Sequence, residues 1–447
     1  MMIYKTLDEL QADVTKSFTS SGDTVEITNQ QLLVDETIDN LVYSAVFAED
    51  ESVKKEARRL IRAVAMASSV YPASIHEIYM AFGQGELSGF TVPAMNIRAL
   101  TYDMTRRVFK LSQKHNIGTF IFEIAKSEQG YTDQKPDEFA VAILAAAVKE
   151  GYTGPVYLQG DHYQFKAKNF QADKQKEIDS IKTLIKNSID AGFYNIDIDA
   201  STLVDLTKPS YSEQQKDNYE MSALLTSYIR GLQPTDTMIS IGGEIGHIGG
   251  VNSNVKDFEA YMEGYLSLIK DKNLTGLSKV SVQTGTSHGG TVLPDGSIAE
   301  VNLDFNVLES IGKVAREKYH IGGPVQHGAS TLPENLFNKF PQVQTLEIHL
   351  ATGFQNIMYD NIPETLREEM HEWSRKNCLD EKKESWNDEQ YVYKTRKKAL
   401  GPFKKQLWHL PENEKKVVLD ALEKQFEFLF EQLNVFGTKE KVEKYLK

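Results

Sequence analysis

The chain has 447 residues, 40% of them hydrophobic and 25% charged, and its 63 acidic residues against 50 Lys and Arg give a formal charge of -13. These fractions suit a globular protein with a large core, and the acidic excess argues against nucleic acid as a partner. A single cysteine, Cys378, excludes an internal disulfide and any multi-cysteine metal site. No apolar run reaches the ~18 residues of a membrane span, so no membrane partner is expected. Met1 to Asp13 lacks the layout of a secretory signal, so a cytoplasmic location is expected.

Residues 1–86 read as a helical N-terminal extension. Asp35 to Asp50 and Val53 to Tyr71 carry apolar residues at three- and four-residue spacing, and Ser74 to Phe82 forms a further short helix. Gly83, Gly85 and Gly89 then break the pattern. From residue 87 to 360, short apolar runs alternate with amphipathic segments. The predicted strands are Phe90 to Asn96, Thr119 to Ala125, Val156 to Asp161, Tyr194 to Asp199, Met238 to Glu244, Lys279 to Thr284, Pro324 to His327 and Thr345 to Leu350. Eight strands alternating with helices predict an α/β fold, a (βα)8 TIM barrel, with a doubly wound open sheet as the competing architecture. Residues 361–447 form a charged helical C-terminal extension, with helices at Pro363 to Lys376, Asn387 to Lys398 and Glu412 to Leu433. The apolar Phe426, Phe428, Leu429 and Phe430 make the last helix either a cap on the barrel wall or an oligomer contact.

In such a barrel the chemistry sits at the C-terminal ends of the strands. There the third strand ends in Gly160-Asp161-His162 and the fifth in Gly242-Gly243-Glu244. The sixth leads into Gly285-Thr286-Ser287-His288-Gly289, and the seventh ends in His327-Gly328-Ala329-Ser330. Three imidazoles at one mouth suit a catalytic zinc with an open position, acting as a Lewis acid on a carbonyl. Cobalt, manganese or iron would accept the same ligands. Asp161, beside His162, is a candidate orienter or general acid and base, and Asp199 has the same choice. Asp197 and Asp199 share one strand face. His247 and His349 lie near the mouth with roles left open, and no strand shows an obvious buried lysine to act as a nucleophile. No GxGxxG or GxxxxGK[ST] motif is present, which removes a dinucleotide or P-loop site.

These four motifs, in this order, resemble those of the class II, metal-dependent fructose- and tagatose-bisphosphate aldolases over about residues 88 to 360. The resemblance implies a βα barrel, a homo-oligomer, a sugar phosphate substrate, and zinc held by His162, His288 and His327. It implies Asp161 as the group that protonates the aldehyde oxygen in condensation, Glu244 as a carboxylate near the metal, and Asp199 as an acid behind a metal ligand. Asn96, Gly289, Gly328, Ser330 and Thr352 match substrate- or phosphate-binding positions. The expected reaction is reversible aldol cleavage of a ketose bisphosphate such as fructose 1,6-bisphosphate, giving dihydroxyacetone phosphate and glyceraldehyde 3-phosphate.

The chain departs from that pattern. The family's mobile-loop glutamate base falls at Asn252, whose amide cannot accept a proton at neutral pH. Its phosphate lysine falls at Val292, its phosphate-side aspartate at Ala351, and a serine after strand two at Ala125. His349 or Glu244 is the replacement base expected here, and Arg98 and Lys126 the replacement phosphate charges. A fainter resemblance, through Tyr131-Thr132, Asp137-Glu138-Phe139 and Asp199-Ala200-Ser201, is to the larger, non-metal-binding subunit of tagatose-bisphosphate aldolase. The alternatives are thus an aldolase of another ketose phosphate, a metal-dependent hydrolase, or a non-catalytic supporting subunit.

Overall fold

A computed structural model gives the structure of the protein over residues 1–246, 251–285, 293 and 303–446. Strands are numbered in chain order. β1 (Phe18–Ser21) and β2 (Thr24–Ile27) pair antiparallel, and β3 is Val70–Ala73. β4 (Val92–Asn96), β5 (Ile121–Ala125), β6 (Gly154–Gln164), β7 (Asn195–Asp199), β8 (Ser240–Glu244), β9 (Lys279–Val282), β10 (Pro324–Gln326) and β11 (Glu347–Leu350) are the eight strands expected from the apolar runs. They pair in parallel in the order β6-β5-β4-β11-β10-β9-β8-β7, and β6 closes on β7, making a (βα)8 TIM barrel. Among the described residues no helix is long and apolar enough to cross a membrane.

The N-terminal extension is not wholly helical, as its spacing suggested. The hairpin β1–β2 turns at Gly22-Asp23, a two-residue link between β-branched runs that carries its own hairpin signal. The helix Glu51–Ala67 stops before Tyr71 because Ser69 takes a left-handed backbone (φ 59°), and Val70–Ala73 extends instead. β3 pairs with the first four residues of β6 on the edge that β7 occupies farther along. Pro72, which has no amide hydrogen to donate, fits such a short edge strand.

From β3 the chain runs across the N-terminal ends of the barrel strands. Asn195, opening β7, accepts from the Ile75 amide at 2.9 Å, and the Ser240 amide, opening β8, donates to Ser74 Oγ at 3.0 Å. Tyr79, on the helix His76–Gly83, donates its hydroxyl to Glu347 at the start of β11. The N-terminal extension is therefore the floor of the barrel. The C-terminal extension joins it on the outside: Tyr43 and Phe47 each meet the buried Trp408 ring at 5.4 Å, and Tyr43 donates to the Trp408 carbonyl at 2.8 Å. The apolar face of Glu412–Gln432 is buried within the chain, with Phe426 against Phe354 at 4.7 Å. One hydrophobic cluster consequently runs from Tyr4 to Val442.

The barrel interior is charged. Lys279 on β9, 1% exposed, reaches across to Gln159 on β6 (2.8 Å), Asp197 on β7 (3.0 Å) and Glu347 on β11 (2.6 Å). A buried lysine thus does stand on a strand, contrary to the sequence reading. Its three acceptors hold it as an ammonium, raised above the usual lysine range although burial alone would lower it. Glycine at 242 makes room for this pair: a Cβ there would collide with Asp197 Oδ1 and lie 2.9 Å from Lys279 Cε. Gly242→Ala should lower the unfolding free energy by about 2–4 kcal/mol, by overpacking and by loosening a buried ion pair. An unchanged denaturant midpoint would show that the pair does not need this space.

Glu123 on β5 completes the cluster, accepting from Gln159 at 2.7 Å. Burial pushes its carboxyl from 4.5 up to about 8, against the opposing pull of His349. Glu347 moves the other way, down to about 2, because Lys279 and His349 outweigh its burial. The signs follow. Glu347 contributes stability that is complete above 4.5 and is lost as pH falls toward 2. Glu123 holds its proton in the folded chain while the unfolded chain releases it, so stability falls as pH rises from 4.5 to about 8. Glu123→Gln should flatten that fall, gaining on the order of 2 kcal/mol at its upper end. Parallel slopes for both proteins in urea melts across this range would refute the assignment.

Candidate active site

The site is built around an irregularity in β6. The sequence suggests a strand ending at Asp161, but β6 continues to Gln164 through a bulge, its register with β7 shifting between Gly160 and Tyr163. His162 sits in the left-handed region (φ 43°), where a non-glycine residue stores about 1–3 kcal/mol of strain. In a regular strand Asp161 and His162 would face opposite sides. The bulge turns both to the mouth, and Gly160 permits it, because the Tyr163 ring fills the space a Cβ would take.

His162 Nε2 faces His327 Nδ1 within bonding distance, the rings crossing at 80° with centroids 4.1 Å apart. On its other edge, His162 Nδ1 lies 2.9 Å from Asp199 Oδ2 and 3.0 Å from Glu244 Oε2. His327 Nε2 meets Ser281 Oγ at 2.9 Å. Burial alone would lower His162, but the carboxylates of Glu244, Asp161 and Asp199 outweigh it and hold the imidazole well above its ordinary range. Burial instead pushes Glu244, beside Asp199, up to about 8. The surroundings therefore favour added positive charge at the point where two imidazole nitrogens converge. His162, His327 and Glu244 offer ligand atoms within 4.8 Å of one another, a nitrogen-and-oxygen set that fits a divalent metal. Asp199 fixes the His162 ring from behind. His288 and Gly289 lie outside the described residues, as do His247, Gly249, Gly250 and Val292.

Asp161 stands beside this pair. Asn96, ending β4, donates to it at 2.9 Å, and His349 Nδ1 lies 3.2 Å away. His349 is buried, stacks on His327 at 4.0 Å, and places Nε2 2.6 Å from Glu347. Asn96, Asp161, His162, Glu244, His327 and His349 line one cavity of about 410 Å³, together with Gly328, Ser330, Ala351 and Thr352. Gly328 turns the chain after β10 with φ 69°, and Thr352 opens the helix Thr352–Asn361. Arg98 and Lys126 also line the cavity. Lys126 is drawn to its rim by the Gln164 carbonyl at 3.0 Å and Glu177 at 3.5 Å. Asn252 lines a neighbouring cavity with Val251, Ser253 and Tyr211, and the His162 cavity does not include it.

Several residues of the site had escaped the sequence reading. Glu128 accepts from Asn96 at 2.8 Å, from the Ala125 amide at 2.9 Å and from Arg98 Nε at 2.6 Å. Glu123 and Glu347 support His349 from below, at 3.1 and 2.6 Å. The available signal was an acid in the middle of an apolar strand, where burial requires a partner. Lys397, from the C-terminal extension, also lines the cavity, and no local pattern marks it.

The same fold occurs in solved structures of low sequence identity. A fructose-bisphosphate aldolase from Campylobacter jejuni is 18% identical, with a TM-score of 0.50 over 82% of this chain and 96% of that one. A probable tagatose 6 phosphate kinase from Sinorhizobium meliloti is 12% identical, with a TM-score of 0.52 over 79% and 93%. A fructuronate-tagaturonate epimerase from Cohnella laeviribosi is 11% identical, with a TM-score of 0.55 over 94% and 90%. No curated protein sequence matches the chain at a significant level. The family model for fructose-bisphosphate aldolase class-II matches residues 80–410, from the barrel floor into the C-terminal extension. With that match over most of its length, the chain belongs to the class II fructose-bisphosphate aldolase family.

Proposed function

We propose that the protein is a zinc-dependent lyase that reversibly cleaves a ketose phosphate by aldol chemistry, with fructose 1,6-bisphosphate as the first substrate to try. The observation that carries this reading is the convergence of His162 Nε2 and His327 Nδ1, with Glu244, beside Asp161 in one cavity at the barrel mouth. A divalent metal held by these residues would supply a Lewis acid for the ketose carbonyl. Asp161 is the group that returns a proton to the aldehyde oxygen in condensation and removes it in cleavage. Asn96 and His349 hold its carboxylate from two sides, which fixes its direction before substrate arrives. With Asn252 in another cavity, we assign the proton next to the carbonyl to Asp161 and His349 acting as a pair, backed by Glu347. Burial alone would lower His349, but Glu123 and Asp161 outweigh it and hold the imidazole well above its ordinary range, so His349 is the charged partner that steadies Asp161 while the Asp161 carboxylate takes the substrate proton.

A second reading is epimerisation of a ketose acid. The similarity to the epimerase fold favours it, because that similarity reaches 94% of this chain and so takes in both extensions. Such a reaction would use the same cavity and the same proton-transfer pair, but would return one isomer rather than two fragments.

Turnover of fructose 1,6-bisphosphate should be lost on chelation and in His327→Ala. His349→Gln should lower kcat by about 10²–10⁴-fold with bound metal unchanged. Coupled detection of dihydroxyacetone phosphate, with metal analysis of each protein, checks both. Cleavage that survives chelation and His327→Ala would overturn the metal-dependent assignment of this site, and isomer formation without fragments would move the activity to the second reading.

A further inference from the structure

The end of the cavity away from the histidine pair is built partly by the C-terminal extension. The turn Arg396–Ala399 is clamped on both sides. Arg396 packs over the Tyr359 and Tyr393 rings at 4.6 Å, donates to Asn356 Oδ1 at 2.7 Å, and its carbonyl accepts from the Tyr359 hydroxyl at 2.7 Å. Three residues after the turn's second position, the Leu400–Gly401 segment closes on the end of the helix Lys126–Tyr131 that follows β5. The Gly401 amide donates to the Tyr131 carbonyl at 3.0 Å, where a Cβ on Gly401 would come within 2.7 Å of that oxygen. Lys404 then anchors to Glu138 at 2.9 Å. The two neighbours of Lys397 are spent elsewhere, Arg396 in this clamp and Lys398 on Glu381. Lys397 is left half-buried on the cavity wall, its ammonium 5.6 Å from the Tyr131 ring centroid.

Charge at this end does not balance. Among the described residues Lys397 makes no ion pair. Of the acids that act on it, Glu381 is paired with Lys398, and Glu128 is already satisfied by Arg98, Asn96 and the Ala125 amide. Arg98 commits Nε to Glu128 and Nη1 to Thr352 Oγ1 (3.3 Å) and Gln355 Oε1 (3.0 Å), which fixes its plane on the cavity wall. Arg98 and Lys397 therefore line one cavity in which the carboxylate bound to Arg98, Glu128, is already shared among three donors. Burial, and then the Arg98 charge, push the Lys397 ammonium below the usual lysine range. An anion in that space would relieve both.

We propose that the C-terminal extension completes the substrate pocket: Lys397 and Arg98 form an oxyanion subsite that seats the charged end of the substrate, a phosphate ester or a carboxylate. This rests on the proposed reading of the cavity as the site of a ketose reaction. It replaces the phosphate lysine missing at Val292 by a lysine some hundred positions later in chain order, delivered by the fold. Arg98 offers a rigid planar fork and Lys397 a point charge, a combination suited to a tetrahedral or a planar oxyanion.

The test is calorimetric titration of inorganic phosphate and, separately, acetate into the full-length, metal-loaded protein and its Lys397→Met and Lys397→Arg variants. Phosphate affinity should fall roughly tenfold or more in Lys397→Met and be largely kept in Lys397→Arg. The same dependence for acetate with no phosphate binding would support the subsite and assign it to carboxylates. Affinities equal in all three proteins, or no binding of either anion to the parent, would overturn it. Thermal melts identify a misfolded variant, in which case Lys397→Gln carries the same comparison. Turnover measured in parallel separates the two claims. Lys397-dependent anion binding without cleavage would sink the lyase reading alone. Cleavage with a KM unchanged in Lys397→Met would sink the subsite alone.

Discussion

The interaction on which the rest of the molecule depends is the ion pair at the centre of the barrel. Lys279 bridges Glu347 and Asp197, and Glu347 in turn holds His349 at 2.6 Å. From there polar contacts climb without a break: His349 to Asp161 at 3.2 Å, Asp161 to Asn96 at 2.9 Å, Asn96 to Glu128 at 2.8 Å, and Glu128 to Arg98 at 2.6 Å. The column begins at Tyr79, in the floor, and ends at the cavity wall. A barrel filled with branched aliphatic side chains would be more stable, since buried ion pairs seldom beat apolar packing. What the charged interior provides is orientation: each member has its rotamer set by the one beneath it, so Asp161 is aimed before any substrate binds.

Both extensions are thereby tied into the barrel. Tyr79 caps the bottom of the column, and Lys397 stands beside its top. The aromatic junction of Tyr43, Phe47 and Trp408 ties the two extensions to each other outside the barrel. A change that loosens either extension acts on one end of a connected polar network, so its effect should reach the mouth even though the mutated residue touches no substrate.

The barrel was legible because its strands are short apolar runs separated by helical spacing, and all eight appear where those runs fall. The histidine pair was legible because strand ends are where barrel chemistry collects. What stayed hidden has identifiable causes. The bulge at His162 depends on Gly160 yielding space to Tyr163, a contact between residues three apart that no periodicity encodes. β3 was lost because Val70 and Tyr71 continue the apolar spacing of the preceding helix, and only the left-handed backbone at Ser69 ends it. Lys279 was passed over because it opens its strand, a position where a lysine is ordinarily solvated; here its partners lie on strands across the barrel.

The departures from the family pattern and the extension's geometry bear on the same problem. The positions at which the family places charge for phosphate hold Val292 and Ala351, and the expected loop base is Asn252. Yet the histidine pair, Asp161 and Asn96 lie in contact with one another, and Glu244 and Asp199 flank His162. The left-handed backbone at His162 costs about 1–3 kcal/mol, and it turns Asp161 and His162 to one face. In the proposed reading, the charge that meets the anionic end of a substrate comes instead from Arg98 and Lys397 on the cavity wall. A site altered in this way points to retained bond chemistry applied to a differently held substrate, with the holding residue supplied from outside the barrel.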